Sequence, residues 1–237
     1  MAKGSRGGRR THSATTNVQP TNASTMGNVP KNVTAFTDAD AQQLRDDMDD
    51  IYDPDVTDAI KLYISDSNPN GDGYSHSQNL NYKLDNGMTL NPTEKFIDDN
   101  IQAGMHAIGK DTTLYRYAHD DILKAMGIAD YTKMTDAQLQ KALVGTTFKT
   151  TSYTSFSYDP KKSPFAPNNA LGGGREVVIE AKVGRSTKVV FGAKKQAEVI
   201  GNKGNDYRVT GIHFDGSYAT PRNGGTKPRV VLEIETF

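Results

Sequence analysis

Three short segments carry side chains that could act together. They are Arg116 between Tyr115 and Tyr117, Ser155 and Ser157 either side of Phe156, and Gln196 and Glu198 either side of Ala197. An arginine guanidinium can fork against a diphosphate. A serine hydroxyl can orient a neighbouring carboxylate and help line a pocket. If 196–198 is a strand, Gln196 and Glu198 point to one face and reach one cleft, with Lys194 ahead of them. Each segment also has a plainer explanation: a surface arginine stacked on tyrosines, hydroxyls bonding nearby backbone, or an edge strand with polar residues outward. Glu233 and Glu235 repeat the Glu-x-Glu spacing but end the chain, with no approach loop before them. Gln196-Ala197-Glu198 follows the run Arg185–Lys195 and precedes another strand, so it is the preferred pair.

Other motifs carry less. Asp66 to Asp72 resembles the first half of a calcium loop, with oxygen side chains at alternate positions and Gly71 sixth. Position twelve is Ser77 rather than a bidentate glutamate, and ordinary turn chemistry explains the same residues. Glycines 172–174 lack dinucleotide-binding spacing and precede a strand rather than a helix. The five histidines form no metal-ligand spacing, so no metal is expected.

The elements that must position the trio follow from caps and periodicity. A helix is expected from Thr37 or Asp38, interrupted at Asp53-Pro54, and a second from Val56 to Ile64. A third is expected over Ser77–Leu84, a fourth over Pro92–Ile108, and short ones over His119–Met126 and Asp136–Leu143. The run Asp111–Tyr117 reads as a strand. Beyond Gly145 the pattern turns to β-rich runs separated by glycine-containing turns. Helices first and strands later is an α+β arrangement.

Charge is balanced, 28 Lys and Arg against 28 Asp and Glu, so no global field points to nucleic acid or a membrane. There are no cysteines, which excludes disulfides and thiolate chemistry. No stretch approaches the roughly 20 apolar residues of a membrane span. Residues 1–35 are basic at the front and rich in Gly, Ser, Thr and Asn; they read as a disordered tail, with 36–237 as the folded domain. The basic start has no apolar region after it, so no secretion signal is expected and the location is read as cytoplasmic or that of a virion-delivered effector.

From about Ala59 to the C-terminus the chain resembles the mono-ADP-ribosyltransferase exoenzymes, closest in pattern to the clostridial binary-toxin and Rho-modifying branch. Leu114-Tyr-Arg-Tyr117 resembles that family's Arg strand, Ser155-Phe-Ser157 its Ser-Thr-Ser strand, and Gln196-Ala-Glu198 its Gln-x-Glu segment. Two positions depart from the pattern: Tyr117 stands where Gly often follows the Arg, and Phe156 replaces the middle Thr. The resemblance implies N-terminal helices followed by a two-sheet β core, and a reaction in which NAD is split at its nicotinamide bond and ADP-ribose passes to an acceptor. It implies that Arg116, flanked by Tyr115 and Tyr117, holds the phosphates. Ser155 would position Glu198, Ser157 would line the NAD site, and Phe165 would stack near nicotinamide. Phe191 and Gln196 would meet the acceptor, although Phe191 could equally be a core residue. Gln at 196 implies a protein side chain other than arginine, or alternatively a guanine base in nucleic acid. A non-catalytic virion or interaction protein on the same fold is the other alternative, and phage carriage fits the tail.

Overall fold

The computed structural model describes residues 29–49, 52–119, 122–123, 126–128, 131–162, 176–215 and 229–237. Five α-helices and nine strands are defined among them: α1 (Asp38–Asp49), α2 (Pro54–Ile64), α3 (His76–Asp85), α4 (Pro92–Gly104) and α5 (Asp136–Leu143). The strands are β1 (His106–Ala107), β2 (Thr112–His119), β3 (Thr147–Lys149), β4 (Thr154–Ser157), β5 (Glu176–Val183), β6 (Lys188–Phe191), β7 (Glu198–Gly201), β8 (Asp206–Asp215) and β9 (Arg229–Thr236). The α+β arrangement read from the sequence is the one observed.

The helices start where capping chemistry dictates. Asp53 accepts from the Asp55 N–H with Pro54 in the first turn, while Ser75, Asn91 and Thr135 each close a full capping box. Helix α2 buries Val56, Ala59, Ile60 and Tyr63, the i, i+3, i+4, i+7 stripe of a one-faced helix. Against it α4 buries Ile97 and Ile101, and α3 buries Leu80. Full burial of each such side chain contributes about 2 kcal/mol. The approach is close: a Cβ on Gly104 would press on Val56.

The fourth helix is shorter than expected. It stops at Gly104, and His106 and Ala107 leave it to pair with Val189 and Lys188 as an edge strand. A two-residue strand has no alternation to detect, and its pairing partner lies eighty residues away. His119, expected to open a helix, instead ends β2.

The strands form one mixed sheet in the order β1-β6-β7-β4-β2-β5-β9-β8-β3. Among the nine described strands β5 and β9 pair in parallel, and the other pairings are antiparallel. Strands β2 and β4 meet at a single register pair, Tyr115 with Ser157, so the sheet consists of two halves joined at one seam. That seam accounts for the two-sheet expectation. One apolar core is built on Leu114, Phe156, Ile179, Val199 and Leu232, with Phe36 and Leu139 from outside the sheet. The second lies between α2–α4 and Val190, Ile200 and Tyr153.

The N-terminal strap docks earlier than residue 36. Lys31 and Asn32 donate their N–H groups to the Asp111 carboxylate, and Thr34 bridges Thr112. The expected domain boundary therefore falls inside this docked segment; residues 1–28 lie outside the described residues. No helix among the described residues is long and apolar enough to cross a membrane.

Candidate active site

Arg116, Ser155 and Glu198 come from β2, β4 and β7, which are consecutive in the sheet. Register places Ser157 opposite both Tyr115 and Glu198, with Ser155 opposite Ile200. The seam between the halves therefore runs through the trio. Arg116 donates from Nη1 to the Ser155 carbonyl at 2.8 Å, fixing the guanidinium against β4. All three side chains are partly exposed.

Glu198 is held by the turn that precedes it. Its Oε2 accepts from the Ala193 N–H at 2.9 Å. The turn is closed by Gly192 N–H to the Glu198 carbonyl at 3.1 Å and by Glu198 N–H to the Ala193 carbonyl at 3.2 Å. A Cβ on Gly192 would lie 2.6 Å from the Glu198 carboxyl carbon, so only glycine lets the carboxylate pack here.

The strand expected at 196–198 is not present as such. Lys194–Gln196 form a 3-10 turn, Ala197 adopts the left-handed conformation (φ 50°, ψ 38°), and β7 begins at Glu198. Gln196 and Glu198 are therefore not alternate residues on one strand face. Alanine in that region costs roughly 1–2 kcal/mol, which no local preference of this segment would supply. Contacts on both sides hold it. The Tyr158 N–H donates to the Ala197 carbonyl at 3.0 Å, and the Ser157 hydroxyl lies 2.9 Å from the Gln196 carbonyl.

The remaining expected site residues divide. Ser157 is buried, and its hydroxyl serves the backbone of Gln196 and Asp159. Tyr115 lines a cavity of about 410 Å³ with Phe36, Thr113, Tyr158 and Asp159. Tyr117 is partly exposed on β2. Phe191 takes the core alternative: it is 5% exposed and stacks on Phe36, which leaves little ring for an acceptor. Phe165 lies outside the described residues. Glu233 and Glu235 sit on β9, three strands away from β4 in the sheet order, and are met by Lys182 and Arg208. No group of three or more His, Cys, Asp or Glu among the described residues could hold a metal ion.

Comparison with known proteins begins with a negative: no protein-family model and no curated protein sequence matches the chain. Solved structures do match. The ADP-ribosylating toxin BECa of a C. perfringens binary enterotoxin superposes with a TM-score of 0.61 at 13% identity, over 87% of this chain and 50% of that one. Plx2a, an ADP-ribosyltransferase toxin from Paenibacillus larvae, gives 0.57 at 14% identity, over 83% and 92%. C3stau2 from S. aureus gives 0.55 at 16%, over 87% and 99%. The fold is that of the ADP-ribosyltransferase toxins. At such low identity the correspondence is one of architecture.

On this ADP-ribosyltransferase fold, two residues without a sequence signal of their own stand at the site. Tyr63 of α2 is buried, and its hydroxyl adjoins Ser155. Burial pushes its phenol up to about 12; the Glu198 carboxylate acts in the same direction, and Asn81, Arg116 and Ser155 oppose it. Asn81 donates to the Tyr63 hydroxyl at 3.0 Å and to the Tyr153 carbonyl at 3.1 Å, tying α3 to both. In the sequence, a tyrosine on the apolar stripe of α2 reads as ordinary core. Arg45 of α1 is the second: its guanidinium faces the Gly192 carbonyl in the turn that holds Glu198.

His106 is a titratable neighbour of this region, its ring 5.9 Å from that of Phe191. Its Nδ1 lies 3.2 Å from both the Tyr52 hydroxyl and the Gly104 carbonyl. Burial lowers its pKa, and Lys188 adds to that. The unfolded chain therefore takes up a proton that the folded chain resists. This contribution to stability is complete above the ordinary histidine value near about 6.5 and is lost as pH falls through it toward the lower folded value. Melting temperatures from about pH 7.5 to about pH 5 should fall more steeply for the wild type than for His106→Gln. Parallel curves would remove His106 from the acid response.

Proposed function

We propose that the protein is a mono-ADP-ribosyltransferase that splits NAD at the nicotinamide glycosidic bond and transfers ADP-ribose to a macromolecular acceptor. The observation that carries this reading is the meeting of Arg116, Ser155 and Glu198 on three adjacent strands over Tyr63. Solved structures of the same fold support it: one contains NAD and another NADH.

The assigned roles follow from the chemistry. Arg116, already oriented by its bond to β4, binds the diphosphate of NAD through a planar fork. As the C1′–N bond breaks, its electron pair leaves with nicotinamide and positive charge develops on the ribose. Glu198, hydrogen-bonded to the ribose 2′-hydroxyl, counters that charge where it appears, and this is stabilisation specific to the transition state. Glycosidases use carboxylates to the same end. The acceptor's nucleophilic atom then bonds C1′ and gives up its proton to solvent. Ser155, on the neighbouring strand β4, positions the carboxylate.

Gln196 bears on the acceptor. It stands on the 3-10 turn two residues before Glu198 and is partly exposed. An amide can hydrogen-bond another amide or a base edge but cannot serve as a base. We therefore assign a protein acceptor other than arginine, with a guanine base as the alternative. Gln196→Glu is expected to change which acceptor is labelled while leaving nicotinamide release within about two-fold, because the second carboxylate acts on the acceptor rather than on NAD. Equal loss of both activities would count against the assignment.

The direct test incubates the full chain with labelled NAD, with and without cell lysate, and searches protein and nucleic acid for ADP-ribose by mass spectrometry. Release of nicotinamide and a labelled macromolecule are expected. A chain that consumes no NAD under either condition is not a transferase, and the non-catalytic interaction protein then becomes the better reading.

A further inference from the structure

The peptide group between Gly192 and Ala193 is engaged at both ends. Its N–H donates to Glu198 Oε2 at 2.9 Å. Its carbonyl, the Gly192 oxygen, faces Arg45, with Nη1 and Nη2 both 3.4 Å away. The same guanidinium lies over the Phe191 ring, 4.9 Å from the centroid, within the range of a cation–π contact. We propose that Arg45 is a positioning residue for Glu198, acting through the Gly192–Ala193 peptide group. The inference rests on the transferase reading in taking Glu198 as the carboxylate that meets the ribose.

A cation at a carbonyl oxygen polarises its peptide group, so the N–H at the other end becomes a stronger donor to a carboxylate. The plane of that peptide also fixes where the N–H points. None of the backbone bonds that close the turn uses the N–H or the carbonyl of the 192–193 peptide group itself, so its plane is set by Glu198 at one end and Arg45 at the other. Finally, an apolar residue would extend the buried face of α1 begun by Ala41, and Leu44 already packs on the same core. An arginine here incurs desolvation that packing alone does not require.

Helix α1 reaches the same region at two further points. Gln42 accepts from Lys194 on the 3-10 turn at 2.8 Å. Asp38 accepts from Tyr158 at 2.9 Å and pairs with Lys162 just beyond β4. The two lysine contacts are exposed and individually weak, and none of the three touches the 192–193 peptide group, so Arg45 is the one expected to set its geometry.

The test compares wild type, Arg45→Met and Arg45→Lys as full chains, using two readouts. Amide hydrogen exchange is measured without NAD: Ala193 should exchange about ten-fold faster in Arg45→Met, while Val199 and Ile200 in β7 keep their protection. Steady-state nicotinamide release should show kcat reduced about 10–10²-fold with KM for NAD within about two-fold, as expected for a carboxylate displaced by under an ångström. Arg45→Lys, which keeps the charge but not the fork, should retain most of the turnover that Arg45→Met loses. Unchanged Ala193 exchange would overturn the proposal, as would both variants turning over at the wild-type rate. General loss of protection in β7 together with Ala193, in both variants, would mean a purely structural role and would overturn it too. If the wild type releases no nicotinamide, the transferase reading fails, and the exchange experiment still decides whether Arg45 holds this peptide.

Discussion

Glu198→Gln is expected to leave the protein folded and able to bind NAD while reducing nicotinamide release by about 10²–10³-fold, the cost of removing a preorganised electrostatic partner from a charge-developing centre. The substitution keeps shape and volume. The new side chain can still accept from the Ala193 N–H, and the backbone bonds that close the turn do not involve it. Glu198 is partly exposed, so replacing it should move the melting temperature little. What is lost is the negative charge. It matters where positive charge appears on the ribose and hardly matters in the bound ground state, so kcat should fall and the Kd for NAD should not. A variant that released nicotinamide at more than half the wild-type rate would remove Glu198 from the mechanism.

Gly192→Ala should have the next largest effect, by a different route. The three nearest atoms that a Cβ at 192 would meet belong to the Glu198 side chain, with its Cδ 2.6 Å away and its Cγ 2.9 Å away. The flexible carboxylate end can therefore swing out, and the fold should survive at a cost within the roughly 1–3 kcal/mol usual for overpacking. In swinging out, the carboxylate leaves the Ala193 N–H. A displacement of about 1 Å at a reacting group is enough to lower turnover about 10²-fold. Since both changes act on one carboxylate, the double variant Gly192→Ala/Glu198→Gln should be hardly slower than Glu198→Gln alone. Additive losses would show that Gly192 matters for another reason, and a fully active Gly192→Ala would show that the carboxylate need not sit where the structure has it.

These two residues also illustrate what a sequence can convey about a site. Glu198 is legible as a carboxylate at the mouth of a β-rich run, in order after Arg116 and Ser155. Gly192 carries no such mark, because the contact that requires glycine is made by a side chain six residues on, after the chain has turned back. Tyr63 is similar. It occupies the apolar stripe of α2, and only the packing of that helix under the seam brings its hydroxyl to Ser155.

The amino-acid sequence alone determined the local elements and their types. The caps found at Asp53, Ser75, Asn91 and Thr135, apolar spacing in α2 and β-branched runs such as Val177–Ile179 are short-range signals, and the elements lie where such signals put them, although α4 ends at Gly104 rather than at Ile108. The order of the trio along the chain is likewise a property of sequence. The tertiary structure decided the rest. The two-residue strand β1, the parallel pairing of β5 with β9 and the one-pair seam between β2 and β4 all depend on partners far away in the chain. The left-handed Ala197 is the sharpest case. Spacing of two predicts strand neighbours at 196 and 198, yet hydrogen bonds from Tyr158 and Ser157 hold the intervening residue in a conformation that alanine disfavours. That conformation costs roughly 1–2 kcal/mol, and two long-range bonds from Ser157 and Tyr158 outweigh it.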